Sequence, residues 1–215
     1  GYDQGDWWVQ DAAAALAAPL LDAQKGEHVL DICAAPGGKT LQLAATGASV
    51  VALDISGPRM SRLEQNLTRC GLKAQTVIAD ALSWQTDALF DAILLDAPCS
   101  ATGTVRRHPE LPYIKDETTL AALIALQANL LDKALTWLRP GGRLVYCTCS
   151  LLPAEGEEQL AAALLRHPGL CVELPQIRGV DPAWITPQGA LRLRPDYWGD
   201  KGGMDGFFMV RLRQQ

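Results

Sequence analysis

Short apolar runs alternate with longer amphipathic segments along this chain, which is the pattern of strands separated by helices. The apolar runs predict strands at 28–32, 49–53, 74–78, 90–95 and 143–147. Helical spacing predicts helices over 11–21, 40–45, 59–70, 120–138 and 155–166. Two further strands, at 170–174 and 207–212, are expected to pair as an antiparallel edge.

This order predicts a doubly wound α/β fold, with a mostly parallel seven-stranded sheet and an antiparallel edge. In such sheets, ligands bind at the carboxyl ends of the strands, where the strand order reverses. Asp54, Asp80 and Asp96 all come at or just after the end of a predicted strand. We therefore expect these acids to lie along one edge of the sheet.

The length and composition of the chain are those of a globular domain with a hydrophobic core. The chain has 215 residues, of which 48% are hydrophobic, so we expect a single domain over 1–215. No apolar run reaches the roughly 18 residues that a membrane-spanning helix requires. The expectation is a cytoplasmic protein without a membrane partner.

The net charge of −5 argues against a grip on nucleic acid through bulk electrostatics. Any such contact must be local, and two basic groups are candidates. One is Arg106, Arg107 and His108, and the other is Arg192, Arg194 and Lys201. The alternative is that both groups are ordinary solvated surface charges.

Six cysteines without a C-x-x-C pair indicate reduced thiols, and favour neither a disulfide framework nor a metal site. We expect Cys147 and Cys149 to point to opposite faces of their strand. Four of the six are interpreted as small buried apolar residues: Cys33, Cys70, Cys147 and Cys171. That leaves Cys99 and Cys149 as candidates for chemistry.

The glycine turn at 35–40 departs from two better-known loops. Cys33 stands where a Walker A loop requires glycine, and the G-x-G-x-x-G spacing is missing. What remains is either a plain strand-to-helix turn or a turn whose amides approach a ligand. With Asp54 placed for a ribose and Asp80 for an adenine, the pattern favours S-adenosylmethionine, an adenosine cofactor without a phosphate chain.

Cys99, Cys149 and Asp96 are expected to converge beside that cofactor. A thiolate can add to carbon 6 of a pyrimidine, which makes carbon 5 able to attack a methyl sulfonium. Asp96 would then stabilise charge at the ring nitrogen, most simply as a protonated carboxyl that donates a hydrogen bond. The residues alone leave open which cysteine attacks.

The motifs together resemble the Sun/Nop family of RNA cytosine carbon-5 methyltransferases, most closely the bacterial branch that modifies small-subunit ribosomal RNA. The resemblance covers nearly the whole chain. It rests on these segments: Val9-Gln10-Asp11, 31–40, Asp54, Asp80, 96–100, 103–109, 148–150 and 205–208.

This resemblance implies a Rossmann-like class I methyltransferase catalytic domain that acts on RNA, with 16S ribosomal RNA as the expected substrate. It makes Cys149 the nucleophile and Cys99 the residue that assists release. Members of the bacterial branch usually carry an amino-terminal RNA-binding domain, whereas this chain starts at Gly1, almost at the catalytic domain. We therefore expect a catalytic domain alone. We also expect a monomer. The family's cofactor residues carry over to Cys33, Ala34, Ala35, Pro36, Gly37, Gly38, Lys39, Asp54, Asp80 and Asp96.

Two rival functions remain from the residues. A small-molecule or protein methyltransferase would share the segment from Asp31 to Asp80 but would not need Cys99 and Cys149. An inactive RNA-binding scaffold would be expected to lack a catalytic residue, and none is missing.

Overall fold

The predicted strands pair into one sheet in the computed structural model, which describes residues 1–114 and 117–215. Seven of its eight strands correspond to the predicted ones. The strands are β1 His28–Ile32, β2 Ser49–Asp54, β3 Gln75–Ile78, β4 Phe90–Asp96, β5 Leu138–Thr148, β6 Leu170–Glu173, β7 Leu191–Leu193 and β8 Phe207–Gln214.

The order across the sheet is β3-β2-β1-β4-β5-β8-β6, and β7 also pairs with β8. Neighbours from β3 to β5 are parallel, whereas β8 runs antiparallel to β5, β6 and β7. The doubly wound fold with an antiparallel edge is therefore confirmed. Strand β7 was not predicted, because the three residues Leu191–Leu193 are too few to show a strand pattern in the sequence.

Helices cover both faces of the sheet. They are α1 Ala17–Leu21, α2 Gly38–Ala45, α3 Gly57–Arg69, α4 Leu111–Ile114, α5 Glu117–Thr136 and α6 Glu157–Arg166. Side chains of α1 and α2 pack with Val29, Leu94 and Val145, while those of α5 and α6 pack with Leu30 and Leu95 on the other face. This alternation along each strand is what a sheet buried on both faces requires.

Helix boundaries differ from the predicted ones where proline and glycine intervene. The predicted helix over 11–21 is a 3-10 turn, Ala14–Leu16, followed by the short α1, and Pro19 within α1 has no N–H to donate to the helical ladder. The predicted helix over 120–138 ends at Thr136. Leu138 instead pairs with Phe90, and the pairing resumes only at Arg143.

Helix α3 begins two residues before its predicted start and ends one residue before its predicted end. Ser56 caps its amino terminus by accepting a hydrogen bond from the Arg59 backbone N–H at 3.4 Å. Gly71, with φ of 64°, ends the helix in the left-handed region.

Candidate active site

The site lies at the carboxyl edge of the sheet, on either side of β1, where the strand order reverses between β1 and β4. Asp54 is the last residue of β2 and Asp96 the last of β4. Cys149 follows the final residue of β5, and Asp80 comes two residues after β3. The expectation that these side chains share one edge is confirmed.

A tight turn joins β1 to α2. Gly37 has φ of 108°, a conformation that side chains rarely adopt, and a Cβ there would lie 2.8 Å from Cγ of Leu63. Only glycine fits this position without moving α3. Helix α2 begins at the next residue, Gly38, so the turn brings backbone amides to the sheet edge.

Asp54 is buried and fixed from both sides of its carboxylate. Oδ2 accepts a hydrogen bond from the Ala35 backbone N–H at 3.0 Å, and Oδ1 accepts one from Ser56 N–H at 2.9 Å. Nη1 of Arg59 lies 3.8 Å from Oδ2. Each carboxylate oxygen keeps a lone pair for a further donor.

Two cavities meet at the site. The first, of about 670 Å³, is lined by Cys33, Asp54, Asp80, Pro98 and Cys99, together with apolar side chains of α5 and the loop after β3. The second, of about 460 Å³, lies on the other side of the glycine turn. Its lining includes residues 34–39, Gln10, Asp11, Thr104, Arg107, Asp205 and Phe207.

Asp96 and Cys149 line both cavities and so mark their common boundary. Of the glycine-turn residues predicted to bind the cofactor, Cys33 lines the first cavity, whereas those from Ala34 to Lys39 line the second. A group in one cavity therefore faces a group in the other across Asp96 and Cys149.

Lys39 reaches from the turn to Asp96. Its Nζ donates to Oδ2 of Asp96 at 2.7 Å and lies 5.2 Å from the centre of the Phe207 ring. Burial disfavours the charged ammonium, but Asp96, together with Cys147 and Asp31, outweighs burial, and the pKa of Lys39 is raised. The protonated Asp96 carboxyl expected from the sequence stays a prediction, and the structure adds the Lys39 ammonium as its neighbour.

The Sγ atoms of Cys99 and Cys149 are 3.4 Å apart. A hydrogen bond from the Cys99 thiol lowers the pKa of Cys149, although burial of Cys149 opposes this shift. The same contact, together with burial, raises the pKa of Cys99. Cys149 is therefore the member of the pair that loses its proton more readily, and Cys99 the one that keeps its proton longer.

Two other thiols near the site are held protonated. Burial raises the pKa of Cys33 to about 12, and burial together with Asp96 raises that of Cys147 well above its ordinary value. The expectation that Cys147 and Cys149 point to opposite faces is wrong. Both contact the same apolar cluster, because positions two apart along a strand share a face.

The residues of the first predicted basic group, Arg106, Arg107 and His108, each lie close to a carboxylate. Arg107 makes two hydrogen bonds to Asp205, one of them at 2.5 Å, and Arg106 lies 3.4 Å from Asp11. His108 lies 3.4 Å from Glu110 and faces outward. Arg106 and Arg107 remain partly exposed beside the second cavity.

The second predicted basic group is not a single patch. Arg192 lies in β7, where it is paired with Glu157 and donates to the Ser150 carbonyl at 2.6 Å. Arg194 pairs with Asp196 at 3.0 Å, and Nζ of Lys201 lies 5.0 Å from the Trp198 ring centre. Arg192 thus supports the fold and is not available to a ligand.

Sequence reasoning missed two features of the site. The resemblance assigned Lys39 to the cofactor, and the contact of Lys39 with Asp96 was not foreseen. Sequence reasoning also treated Glu155 only as the start of a helix, although Glu155 is fully buried. A carboxylate so close to the Thr148-Cys149-Ser150 motif was the available signal.

Within residues 1–114 and 117–215, no helix is both long and apolar enough to cross a membrane. The same described residues contain no group of three or more His, Cys, Asp or Glu side chains arranged to hold a metal ion.

Comparison with curated proteins gives close relatives. Ribosomal RNA small subunit methyltransferase B of Sodalis glossinidius is 47% identical over 173 residues, which are 78% of this chain and 40% of the relative. The protein of the same name from an Enterobacter species is 46% identical over 171 residues, with 77% and 40% coverage. The chain thus spans about 40% of the length of these curated relatives.

Solved structures show the same fold. NSun6 from Pyrococcus horikoshii with SFG matches 99% of this chain and 54% of its own, at 29% identity and a TM-score of 0.88. A methyltransferase homolog protein from the same organism matches 100% and 70%, at 31% identity and a TM-score of 0.85. The family model described as 16S rRNA methyltransferase RsmB/F matches residues 18–213, so the chain belongs to that family.

Proposed function

We propose that this chain transfers a methyl group from S-adenosylmethionine to carbon 5 of a cytosine in RNA, through a covalent bond between Cys149 and the base. The observation that carries the proposal is the pair of thiols, 3.4 Å apart, of which Cys149 lines both cavities and Cys99 lines the first. A methyl donor in one cavity and a base in the other would face each other there.

The first cavity fits the cofactor. Its volume of about 670 Å³ lies within the range of about 300–1,000 Å³ common for small-molecule sites. Asp54 has lone pairs free for ribose hydroxyls, and Asp80 lines the same cavity for the adenine amino group. NSun6 of Pyrococcus horikoshii was solved with SFG, an analogue of S-adenosylmethionine, which supports this assignment.

The second cavity is suited to a pyrimidine. Lys39 supplies a cation and Asp96 a carboxylate side by side, so a ring nitrogen and an exocyclic amine can each find a partner. The Phe207 ring closes one side and Arg107 another. A base inside a helix would have to leave its stack to enter.

Cys149 acts first in the proposed reaction. Its thiolate forms a bond to carbon 6 of the ring, and the displaced electron pair moves toward the ring nitrogen, where the Lys39 ammonium stabilises it. Bound S-adenosylmethionine supplies the electrophilic methyl group. Carbon 5 would then form a bond to the methyl carbon while the bond between that carbon and the sulfonium sulfur breaks and leaves a neutral thioether, so that carbon 5 carries both a proton and a methyl group.

Cys99 is placed to complete the reaction. Once Cys149 is bonded to carbon 6, the hydrogen bond that chiefly raises the pKa of Cys99 is lost. Cys99 then gives up its own proton to solvent more readily, so its thiolate is available to act as a base. It removes the proton from carbon 5, the bond between sulfur and carbon 6 breaks, and the Cys149 thiolate is restored.

The substrate follows from the relatives. The curated relatives are named ribosomal RNA small subunit methyltransferase B, and the matching family is described as acting on 16S rRNA. We propose 16S ribosomal RNA as the substrate of this chain also. The chain spans about 40% of the length of those relatives, so their RNA substrate comes to this chain as a proposal only.

A trapping assay tests the function. Cys99→Ala is mixed with S-adenosylmethionine and unmodified 16S RNA, and a protein–RNA adduct that survives denaturant is sought on a gel. We expect an adduct that disappears when Cys149→Ala is added to the same chain. Cys171→Ala, a partly buried thiol on the distant β6, is the matched control and should form no adduct.

Two results would overturn the proposal. One is full methyl transfer by Cys149→Ala, which would favour a small-molecule or protein methyltransferase that needs no thiol. The other is the lack of any adduct in Cys99→Ala that binds S-adenosylmethionine normally and is saturated with RNA. Cofactor binding by calorimetry separates a folded variant from a misfolded one.

A further inference from the structure

A buried acid, Glu155, contacts the loop that follows β4 and carries Cys99, and it has no part in the reaction proposed above. Glu155 is 0% exposed and ends the 3-10 turn Pro153–Glu155 that precedes α6. Within the described part of the chain it forms no ion pair. A carboxylate removed from water and held without a cation needs another explanation.

The Glu155 carboxylate is satisfied by donors from the Cys99 loop. Oε1 accepts from the Ser100 backbone N–H at 2.8 Å and from Nε2 of Gln127 at 2.9 Å, and Oε2 accepts from the Ser100 hydroxyl. Three donors around its two oxygens are partners that suit a carboxylate. These contacts hold the Glu155 side chain against the loop that carries Cys99.

The same group fixes the backbone on both sides of Cys99. Gln127 donates from Nε2 to the Pro98 carbonyl at 2.9 Å as well as to Glu155, and Glu155 holds Ser100. The Ser100 and Ser150 hydroxyls are 3.3 Å apart, so the residues that follow the two cysteines also meet. This buried network therefore connects the backbone on both sides of Cys99 to the residue that follows Cys149.

Charges around the thiol pair are divided between its two members. Glu155 and the Tyr146 hydroxyl lie on the Cys99 side, and Asp96, Lys39 and Arg107 lie on the Cys149 side. A negative charge near Cys99 disfavours a thiolate there. On the Cys149 side, Asp96 disfavours a thiolate and Lys39 favours one.

We propose that Glu155 is a positioning residue, which orients Cys99 and by its charge keeps the thiolate on Cys149. The directions of the pKa shifts agree, since Glu155 is among the groups that raise the pKa of Cys99. The inference rests on the proposed function for its meaning in catalysis. The charge distribution itself can be measured without cofactor or RNA.

Glu155→Gln is the direct test. The amide oxygen can still accept from Ser100 N–H and its nitrogen can donate to the Ser100 hydroxyl, so shape is kept while charge is lost. Alkylation of each thiol by iodoacetamide is followed from pH 6 to 10 by mass spectrometry. In the unchanged chain we expect Cys149 to react at lower pH than Cys99.

In Glu155→Gln we expect the midpoint for Cys99 to move down and the ratio of Cys149 to Cys99 alkylation at pH 7 to fall about tenfold. Glu158→Gln, which changes an exposed acid in the first turn of α6, is the matched control and should leave both midpoints unchanged. Unchanged midpoints in a folded Glu155→Gln chain would overturn the proposal.

Ser100→Ala gives a second and milder variant, should Glu155→Gln fail to fold. Removing the hydroxyl donor leaves the Glu155 charge less compensated, so the midpoint for Cys99 should move up. A downward shift or no shift would contradict the proposal. Since alkylation requires neither RNA nor S-adenosylmethionine, either result is independent of the trapping assay.

Discussion

Nζ of Lys39 lies 2.7 Å from Oδ2 of Asp96, and this ion pair joins the glycine turn after β1 to the end of β4. The two residues are 57 positions apart in the chain. The pair lies in the wall of the second cavity, next to Cys149. Lys39 thus lines a different cavity from Asp54, although the resemblance assigned both residues to cofactor binding.

Lys39→Met should reduce methyl transfer while sparing cofactor binding. The ammonium is placed to stabilise charge on the base, and loss of one such donor typically costs about 100-fold or more in rate. We expect the affinity for S-adenosylmethionine, measured by calorimetry, to change by less than about threefold, because Lys39 does not line the first cavity. The exposed Lys25→Met is the control; a loss of cofactor affinity in Lys39→Met would place Lys39 with the cofactor instead.

Asp54→Asn, in contrast to Lys39→Met, should weaken cofactor binding. An amide nitrogen at either carboxylate oxygen would face the N–H of Ala35 or of Ser56, so the variant loses a hydrogen bond and the charge that binds ribose hydroxyls. We expect the affinity for S-adenosylmethionine to fall at least about tenfold by calorimetry. Asp87→Asn, at an exposed position, should bind normally, and equal affinity in both variants would exclude Asp54 as a cofactor ligand.

Arg106→Glu should weaken RNA binding and leave cofactor binding intact. Arg106 lies 3.4 Å from Asp11 and 3.6 Å from Asp205, and its side chain is 40% exposed beside the second cavity. We expect weaker crosslinking to RNA and a salt dependence reduced by about one unit of slope. Arg62→Glu, on exposed α3, makes the same charge change elsewhere. Equal crosslinking by both variants would identify Arg106 as an ordinary surface charge.

Asp31 should make stability depend on pH. Burial raises its pKa to about 7 from an ordinary value of 3.8, and only Oδ2 has a partner, the Thr40 hydroxyl at 2.6 Å. Between these two values the folded chain keeps the proton that the unfolded chain releases. The free energy of unfolding from this group therefore falls as pH rises from about 4 to about 7, by on the order of 4 kcal/mol at most.

Asp31→Asn removes this titration. Its Tm relative to the unchanged chain should rise from pH 4 to pH 7 and stay constant above that, in thermal unfolding followed by circular dichroism. Asp87→Asn should show no such trend. A Tm difference that does not vary with pH would mean that Asp31 is ionised in the folded chain.

The fold was largely predictable because apolar periodicity records which face of each element is buried. Val29 and Leu30 face opposite layers of the sheet, and each packs with the helices of its own layer. The errors lie where local chemistry interrupts a pattern. Examples are Pro19 in the first helix and Leu138, which pairs with Phe90 instead of ending a helix.

The sequence by itself determined which residue types reach the carboxyl edge, because strand ends and a glycine turn are local features. Asp54, Asp96, Cys99 and Cys149 all lie where the motifs predicted. Only the tertiary structure decided their partners. Lys39 meets Asp96, and Glu155 meets Ser100, across 57 and 55 positions of chain. Such pairings, and the pKa differences that follow from them, depend on distances between strands and on burial, and no local pattern encodes either.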